Sequence, residues 1–230
     1  MDIGIIGSGI AAQTLAGKLL ELGHSVMISS RDTTQGKERP WGALPSADDF
    51  AAAQRDLGRE AAAGGFADAA VHGEIVINAT PGEISVAALE SAGADHLAGK
   101  ILIDVGNPLD YSRGMPPTLY FCNTDSLGER IQSAFPEARV VKTLNTVNAA
   151  VMVSPKLLAE PTALFVAGND QKARDWVHHE LLERWFEWEQ VLDLGDITAA
   201  RAVEMWLPLW ALLFGVAGTP AFNIRVVAAT

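Results

Sequence analysis

Three stretches of this 230-residue chain hold residue types able to do chemistry. The first is GSGIAA, from Gly7 to Ala12, which fits the pattern G-x-G-x-x-A. There Gly7 permits a tight turn, Gly9 lets backbone approach a pyrophosphate, and Ala12 lets a helix pack closely on a strand. Amides at the start of such a helix, at the positive end of its dipole, favour an anion. A glycine pattern alone is a weak signal. This one follows the β-branched run IGII and precedes AAQTLAGKLLELG, whose Leu15, Leu19 and Leu22 recur at helical spacing, and HSVMISS then reads as a second strand. Residues 2–30 therefore read as a βαβ unit, the setting in which the pattern points to a dinucleotide.

The second stretch, Ser29-Ser30-Arg31, closes that second strand. A carboxylate in this place would accept bonds from the 2'-hydroxyl of NAD and repel a 2'-phosphate. Two serine hydroxyls and a guanidinium suit a phosphate instead, so the reading is NADP, with Lys37 the candidate second cation. The alternative is that Arg31 is a solvated loop residue and Asp32 takes the ribose.

The third group lies at later strand ends, where ligands of doubly wound sheets sit. INATPGE puts Thr80, Pro81 and Gly82 at one end, and DVGNPLD puts Gly106, Asn107 and Pro108 at the next. These turns bring backbone near a ligand and offer neither a good acid nor a good base. In KTLNTVNA, Asn145 and Thr146 fall beside the expected nicotinamide position, with Asn145 able to donate to a carboxamide or an acceptor carbonyl. Lys142 lies inside the predicted strand and is expected to snorkel outward.

None of the five histidines makes a convincing catalytic group, and the adjacent pair His178-His179, read on an α-helix, diverges by about 100° and forms no i, i+4 metal pair. Cys122 lacks a visible histidine partner. An enzyme acting on an alcohol moves a proton as well as a hydride and needs a positioned acid or base. Exchange of hydride between a nicotinamide and a flavin-like ring needs mainly distance and orientation. The residues suit the second kind of site.

The elements that must position these groups follow an alternating pattern. Helices are predicted over DDFAAAQRDLG, from Phe66, over 83–91 and over LGERIQSAF; strands are predicted near 60–63, at EIVINAT, at ILIDV and at ARVVKTLN. Strands that are continuous apolar runs between helices imply an α/β fold, a doubly wound parallel Rossmann sheet. Residues 1–148 form the dinucleotide-binding core. Residues 149–230 form a small C-terminal α/β extension with no flexible linker: strands at TALFVAG and FEWEQVLDLG bracket the helix DQKARDWVHHELLERW, and a last helix from Thr198 precedes an extended tail, AFNIRVV.

Composition bounds the remaining classes. Apolar residues make up 49% and charged residues 20%, as in an ordinary globular chain. A formal charge of -11 argues against nucleic acid and anionic membranes as partners. A single cysteine excludes an intramolecular disulfide and fits a reduced, cytoplasmic location. No signal-peptide pattern opens the sequence. The longest apolar run, Met205 to Gly218, is shorter than the roughly 18 residues of a membrane span. It reads as a buried helix interrupted near Pro208, partly in a dimer interface.

Together, IGIIGSGIAAQTLA, VMISSRD, VINATPGE, ILIDVGNPL, ARVVKTLNT, LFVAGND and RAVEMWLPLWALLFGVAG resemble the coenzyme F420-dependent NADP oxidoreductases across nearly the whole chain. The resemblance implies a Rossmann enzyme that passes hydride between NADPH and a 5-deazaflavin stacked on the nicotinamide, often as a homodimer. It implies that Gly7, Ser8, Gly9 and Ile10, with Ala11 beside them, hold the pyrophosphate, that Ser30 and Arg31 hold the 2'-phosphate, and that Thr80, Pro81 and Asn107 line the nicotinamide side. Asn145 departs from the family pattern, standing where deazaflavin-binding members carry a histidine in an LHT stretch. The family also contains reductase domains that pass hydride to an ordinary flavin, FMN or FAD. The connection containing Trp41 reads either as part of an acceptor pocket or as a variable loop. Two other readings stay open: an NADPH-dependent reductase of a small carbonyl or imine substrate, and a binding-only NADP sensor, which a nicotinamide site closed by Trp206 or Trp210 would favour.

Overall fold

Most strands of the sheet are short, largely apolar runs bounded by turns, and their positions follow from the alternation with helices. The computed structural model describes residues 1–36 and 43–229. Strands β1 (Asp2–Ile6), β2 (Ser25–Ser29), β3 (Ala61–Gly64), β4 (Ile75–Asn78) and β5 (Ile101–Asp104) are joined by helices α1 (Ile10–Glu21), α2 (Ala47–Asp56), α3 (Phe66–His72), α4 (Ser85–Ala92) and α5 (Ala94–Leu97). A small antiparallel hairpin, β6 (Leu109–Asp110) and β7 (Thr118–Leu119), follows before α6 (Leu127–Ala134) and β8 (Arg139–Thr143). The chain continues with α7 (Ala149–Val153), β9 (Ala163–Ala167), α8 (Gln171–Trp176), β10 (Gln190–Asp193) and α9 (Ala200–Ala217).

The eight strands of the main sheet lie in the order β10-β9-β8-β5-β4-β1-β2-β3. Six of them, from β3 to β8, are parallel in the Rossmann order, so the doubly wound α/β reading stands. The order reverses at β1, which pairs β2 on one side and β4 on the other. Such a switch point leaves a crevice at the C-terminal strand ends. β9 joins β8 antiparallel and β10 joins β9 parallel, so residues beyond 148 extend the same sheet rather than build a second one. The tail lies across the starts of the last two strands: the Ala163 amide donates to the Ile224 carbonyl at 2.8 Å, and Gln190 Nε2 donates to the Val226 carbonyl at 2.9 Å.

Both faces of the sheet are covered. Ile3, Ile5, Leu15, Leu19, Val141 and Val151 pack on one face, and Ile6, Val76, Leu89, Leu102, Ile131 and Val140 on the other. The segment after α8, Val177–Trp185, winds as a π-helix, which the apolar periodicity does not announce.

The last helix differs from its sequence reading in two ways. It runs unbroken through Pro208, which costs one backbone bond without ending the helix, because tertiary contacts fix its first turns. With the turn before it, the segment Ile197–Ala217 is also long and apolar enough to cross a membrane by length and composition. Its start is docked on the fold, however: Arg201 Nε donates to Glu129 Oε2 at 2.8 Å, and Glu204 is 2% exposed among charged and amide donors. Its far half is not buried as expected, since Leu209, Leu212, Phe214 and Val216 are exposed.

Candidate active site

The glycine turn is built by strand pairing. Gly7 has φ +128°, and a Cβ there would lie 2.7 Å from the Ala79 carbonyl oxygen, so only glycine lets β1 turn this close to the end of β4. Its amide donates to the Ser29 carbonyl at 3.0 Å, which ties the turn to the end of β2. Gly9 then caps α1 with no side chain, and a Cβ at Gly9 would meet open space. The first turn of α1 carries no acidic residue. Ile10 is exposed beside it and Ser8 is buried. Gln13 braces the turn from beneath, its Nε2 donating to the Ser8 carbonyl at 3.1 Å and the Pro45 carbonyl at 2.9 Å. An uncapped helix start above a braced glycine turn is a cradle for a phosphate.

At the end of β2 the three residues of interest separate. Ser29 is wholly buried and its hydroxyl donates to the Ile5 carbonyl at 2.8 Å, so the donor expected to face a phosphate is spent inside the sheet. Ser30 is held by its amide on the Gly64 carbonyl at 3.3 Å, and its hydroxyl donates to the Asp32 carbonyl at 2.6 Å. Arg31 is exposed and forms no ion pair with a described residue. The carboxylate of Asp32, the rival ribose ligand, is turned on its own loop. It accepts from the Thr34 hydroxyl at 2.7 Å, the Thr34 amide at 3.0 Å and Gln35 Nε2 at 2.7 Å. The Thr34 hydroxyl first, and then its amide, hold the Asp32 carboxyl below the usual carboxylate range. With Asp32 so engaged, the exposed cation at this strand end is Arg31. Lys37 and Trp41 lie outside the described residues.

The strand ends expected to line the nicotinamide interlock. A Cβ on Gly82 would lie 2.3 Å from the Asn107 carbonyl oxygen, and the Gly82 amide donates to that oxygen at 3.2 Å, so the Thr80-Pro81-Gly82 and Gly106-Asn107-Pro108 turns touch. Thr80 is buried, its hydroxyl donating to Asn78 Oδ1 at 2.7 Å. Asn107 and Asn145 face each other through a reciprocal pair: Asn107 Nδ2 donates to the Asn145 carbonyl and Asn145 Nδ2 to Asn107 Oδ1, each at 2.9 Å. Asn145 Nδ2 also reaches the Val203 carbonyl at 3.2 Å. The amide expected to donate to a ligand is therefore committed to the protein, and Asn145 is a brace between β5, β8 and α9.

Two buried features of this region are unusual. Leu144 sits at φ +61°, a left-handed conformation disfavoured for a branched side chain and costing about 1–3 kcal/mol, which is the kind of strain that collects at binding sites. Thr146 is 2% exposed and its buried hydroxyl finds no partner, although its carbonyl accepts from Trp206 Nε1 at 3.0 Å. The open glycine cradle at the start of α1, beside the crevice of the switch point, fits the phosphates of a dinucleotide.

Beneath these turns lies a network that the sequence reading missed. Lys142 does not snorkel out. Its Nζ is fully buried, donating to Asp104 Oδ2 at 2.6 Å and the Gly106 carbonyl at 2.7 Å, and it pairs with Glu204 Oε1 at 2.8 Å. Burial alone would push the ammonium pKa down, but Asp104 and Glu204 outweigh it and the pKa is raised. Glu204 also accepts the Leu127 amide at 2.8 Å and the Gly128 amide at 3.1 Å, capping α6 from a distance. Asp104 accepts from Asn78 Nδ2 at 2.9 Å and the Gly106 amide at 3.0 Å. One charged network thus fixes the ends of β4, β5 and β8 and the start of α9. The available signal was one charge inside each of three apolar runs: ILIDV, RVVKTL and RAVEMWLPLW.

Comparison with known proteins agrees with this geometry. The model of the family described as NADP oxidoreductase, coenzyme F420-dependent, matches residues 2–108. A crystal structure from Arthrobacter sp. FB24, described as an F420-dependent NADP-reductase, is 46% identical, covers 99% of this chain and 100% of its own, and superposes with a TM-score of 0.89. Metalloreductase STEAP3 of Rattus norvegicus is 30% identical over 213 residues, covering 90% of this chain, which spans 37% of the length of that relative. An imine reductase of Streptomyces aurantiacus shares the fold, with a TM-score of 0.59 at 16% identity over 95% of this chain and 63% of its own.

Proposed function

The chain belongs to the family of coenzyme F420-dependent NADP oxidoreductases, and from that premise we propose that it passes hydride between NADPH and a deazaflavin of the coenzyme F420 type, with FMN or FAD the related alternative acceptor. NADP(H) supplies or takes the hydride at its nicotinamide. The residues of this chain bind and orient. Gly7, Ser8, Gly9, Ile10 and Ala11 hold the pyrophosphate on the uncapped start of α1. Arg31 holds the 2'-phosphate, because the Ser30 hydroxyl and amide, expected to share it, are given to the Asp32 and Gly64 carbonyls. The Thr80-Pro81-Gly82 and Gly106-Asn107-Pro108 turns, braced by Asn145, form the floor under the nicotinamide.

The observation that carries the acceptor class is the sealed state of the charges at the strand ends. Lys142, Asp104 and Glu204 are spent on one another at 0–2% side-chain exposure, so none is placed to protonate a substrate. A carbonyl or imine reductase needs such a proton donor beside the reacting atom, whereas transfer between stacked rings needs distance and orientation, the accompanying ring-nitrogen proton coming from water. The indole of Trp206, fixed to the Thr146 carbonyl, stands at the nicotinamide end. It serves as an apolar wall for a ring in this reading, and as a plug in the binding-only alternative. The test is anaerobic oxidation of NADPH with coenzyme F420, FMN or FAD offered separately. Reduction of F420 supports the proposal. Tight NADPH binding without turnover of any acceptor favours the sensor.

We further propose that the active form is a homodimer in a reducing cytoplasm, joined through the far half of α9. Leu209 is 49% exposed and Leu212 54%, on a helix whose other side locks the site, and a single chain leaves this apolar stripe in water. Light scattering at micromolar concentration is expected to give twice the chain mass, and Leu209→Glu with Leu212→Glu to give one chain mass. A monomer of the unmodified protein would contradict the interface.

A further inference from the structure

Two imidazoles and a carboxylate, none of them part of the strand-end site, converge on the outside of the π-helical segment. On an α-helix His178 and His179 would point apart. The wider π winding, marked by the Phe186 amide donating to the Leu181 carbonyl at 3.0 Å, brings residue i+5 over residue i and keeps i+4 beside it. Glu183 is i+5 from His178 and i+4 from His179, so both rings reach one carboxylate. His178 Nε2 lies 3.2 Å from Glu183 Oε1, and His179 Nδ1 lies 2.7 Å from Glu183 Oε2. The rings stack with centroids 4.5 Å apart and planes 27° apart. One ligand atom from each residue lies within 4.8 Å of the other two.

We propose that His178, His179 and Glu183 form a binding site for a divalent transition-metal ion of the Zn²⁺, Ni²⁺ or Cu²⁺ class. The donor set decides the class. Two imidazole nitrogens and one carboxylate oxygen suit borderline ions, whereas Ca²⁺ and Mg²⁺ prefer oxygen throughout. Three protein ligands leave further positions to water, as the partial exposure of the cluster allows.

The backbone beneath is held in place, which separates this cluster from a chance meeting of surface side chains. Val177, Leu181 and Leu182 are fully buried on the inner side of the same segment. Trp185 packs edge-on to Trp176 at 5.4 Å and against His24 at 4.2 Å. The three ligands therefore need little backbone rearrangement to close on an ion.

Isothermal titration of Zn²⁺, and separately of Cu²⁺ and Mg²⁺, into the untagged full chain tests the site. One Zn²⁺ or Cu²⁺ per chain is expected, with no response to Mg²⁺, and with affinity falling at least about tenfold in His178→Ala and in Glu183→Gln, a change of about 1.4 kcal/mol. The circular dichroism of both variants should match that of the parent, since the cluster lies outside the core. Zn²⁺ binding that is absent up to about 1 mM, or undiminished in both variants, would overturn the assignment.

Discussion

Replacing Arg31 with alanine is expected to weaken NADPH binding about tenfold to hundredfold and to leave NADH binding nearly unchanged. The magnitude is that of one charge-assisted contact to a phosphate, about 1.5–3 kcal/mol, read through about 1.4 kcal/mol per decade of affinity. The selectivity follows from the loop. Ser29 is buried on the Ile5 carbonyl, the neighbouring Ser30 hydroxyl is given to the Asp32 carbonyl, and the Asp32 carboxylate is held by Thr34 and Gln35. Arg31 is left as the exposed cation at this strand end among the described residues. The change touches no buried contact, so the thermal midpoint should not move. Fluorescence titration with both cofactors checks it. Equal loss for NADPH and NADH would mean that Arg31 senses the dinucleotide as a whole and not its 2'-phosphate.

The largest effect on stability is expected from Lys142→Met. The ammonium sits between two carboxylates with no route to water, and its removal leaves Asp104 and Glu204 as buried charges of like sign. Breaking such a pair from one side costs about 3–5 kcal/mol, because the partner charge remains desolvated. For a chain of this size that lowers the melting midpoint by about 6–20 °C. The combined variant Asp104→Asn, Lys142→Met, Glu204→Gln should recover part of the loss, since a neutral buried network does not carry the charge penalty.

The pH dependence separates this account from simple loss of packing. In Lys142→Met the buried like-charged pair left behind is relieved by proton uptake in the folded state, so stability should rise as pH falls toward the carboxylate range. In the parent the ammonium pKa is itself raised. Its contribution is therefore complete below the ordinary lysine value of about 10.4 and lost only as pH rises through the higher folded value. Denaturation by urea at several pH values reads both slopes. A deficit in Lys142→Met independent of pH would point to packing rather than charge.

Much of the fold was legible because its signals are local. IGII, EIVINAT and ILIDV are continuous apolar runs closed by turns, and GSGIAA joins a strand to a helix, so the Rossmann order follows from neighbours in sequence. Contacts between distant residues were not legible. Nothing local to VMISSRD tells that Ser29 turns inward, because both faces of a doubly wound sheet are buried and alternation gives no direction. Nothing local to KTLNT tells that Asn145 is held by Asn107, 38 residues earlier, and by the Val203 carbonyl, 58 residues later.

The same limit hid the charged network, whose members at 104, 142 and 204 come from three separate elements. Each alone reads as a misplaced charge, and only the fold pairs them. It also governs α9: Pro208 argued for a break, but the anchors at Arg201 and Glu204 hold the helix across it. The π winding of Val177–Trp185 breaks the α-helical periodicity on which the histidine pair was judged, and so reversed the geometry expected of His178 and His179.

The account rests on direct transfer of hydride between NADPH and a deazaflavin on a floor that contributes no proton. The most direct measurement is the anaerobic reaction of NADPH carrying deuterium on the transferred C4 position with coenzyme F420, followed by mass analysis of the reduced deazaflavin. The account predicts NADPH-selective reduction with the deuterium retained on the acceptor carbon. Deuterium lost to solvent, or NADPH bound without any reduction of F420, would contradict it.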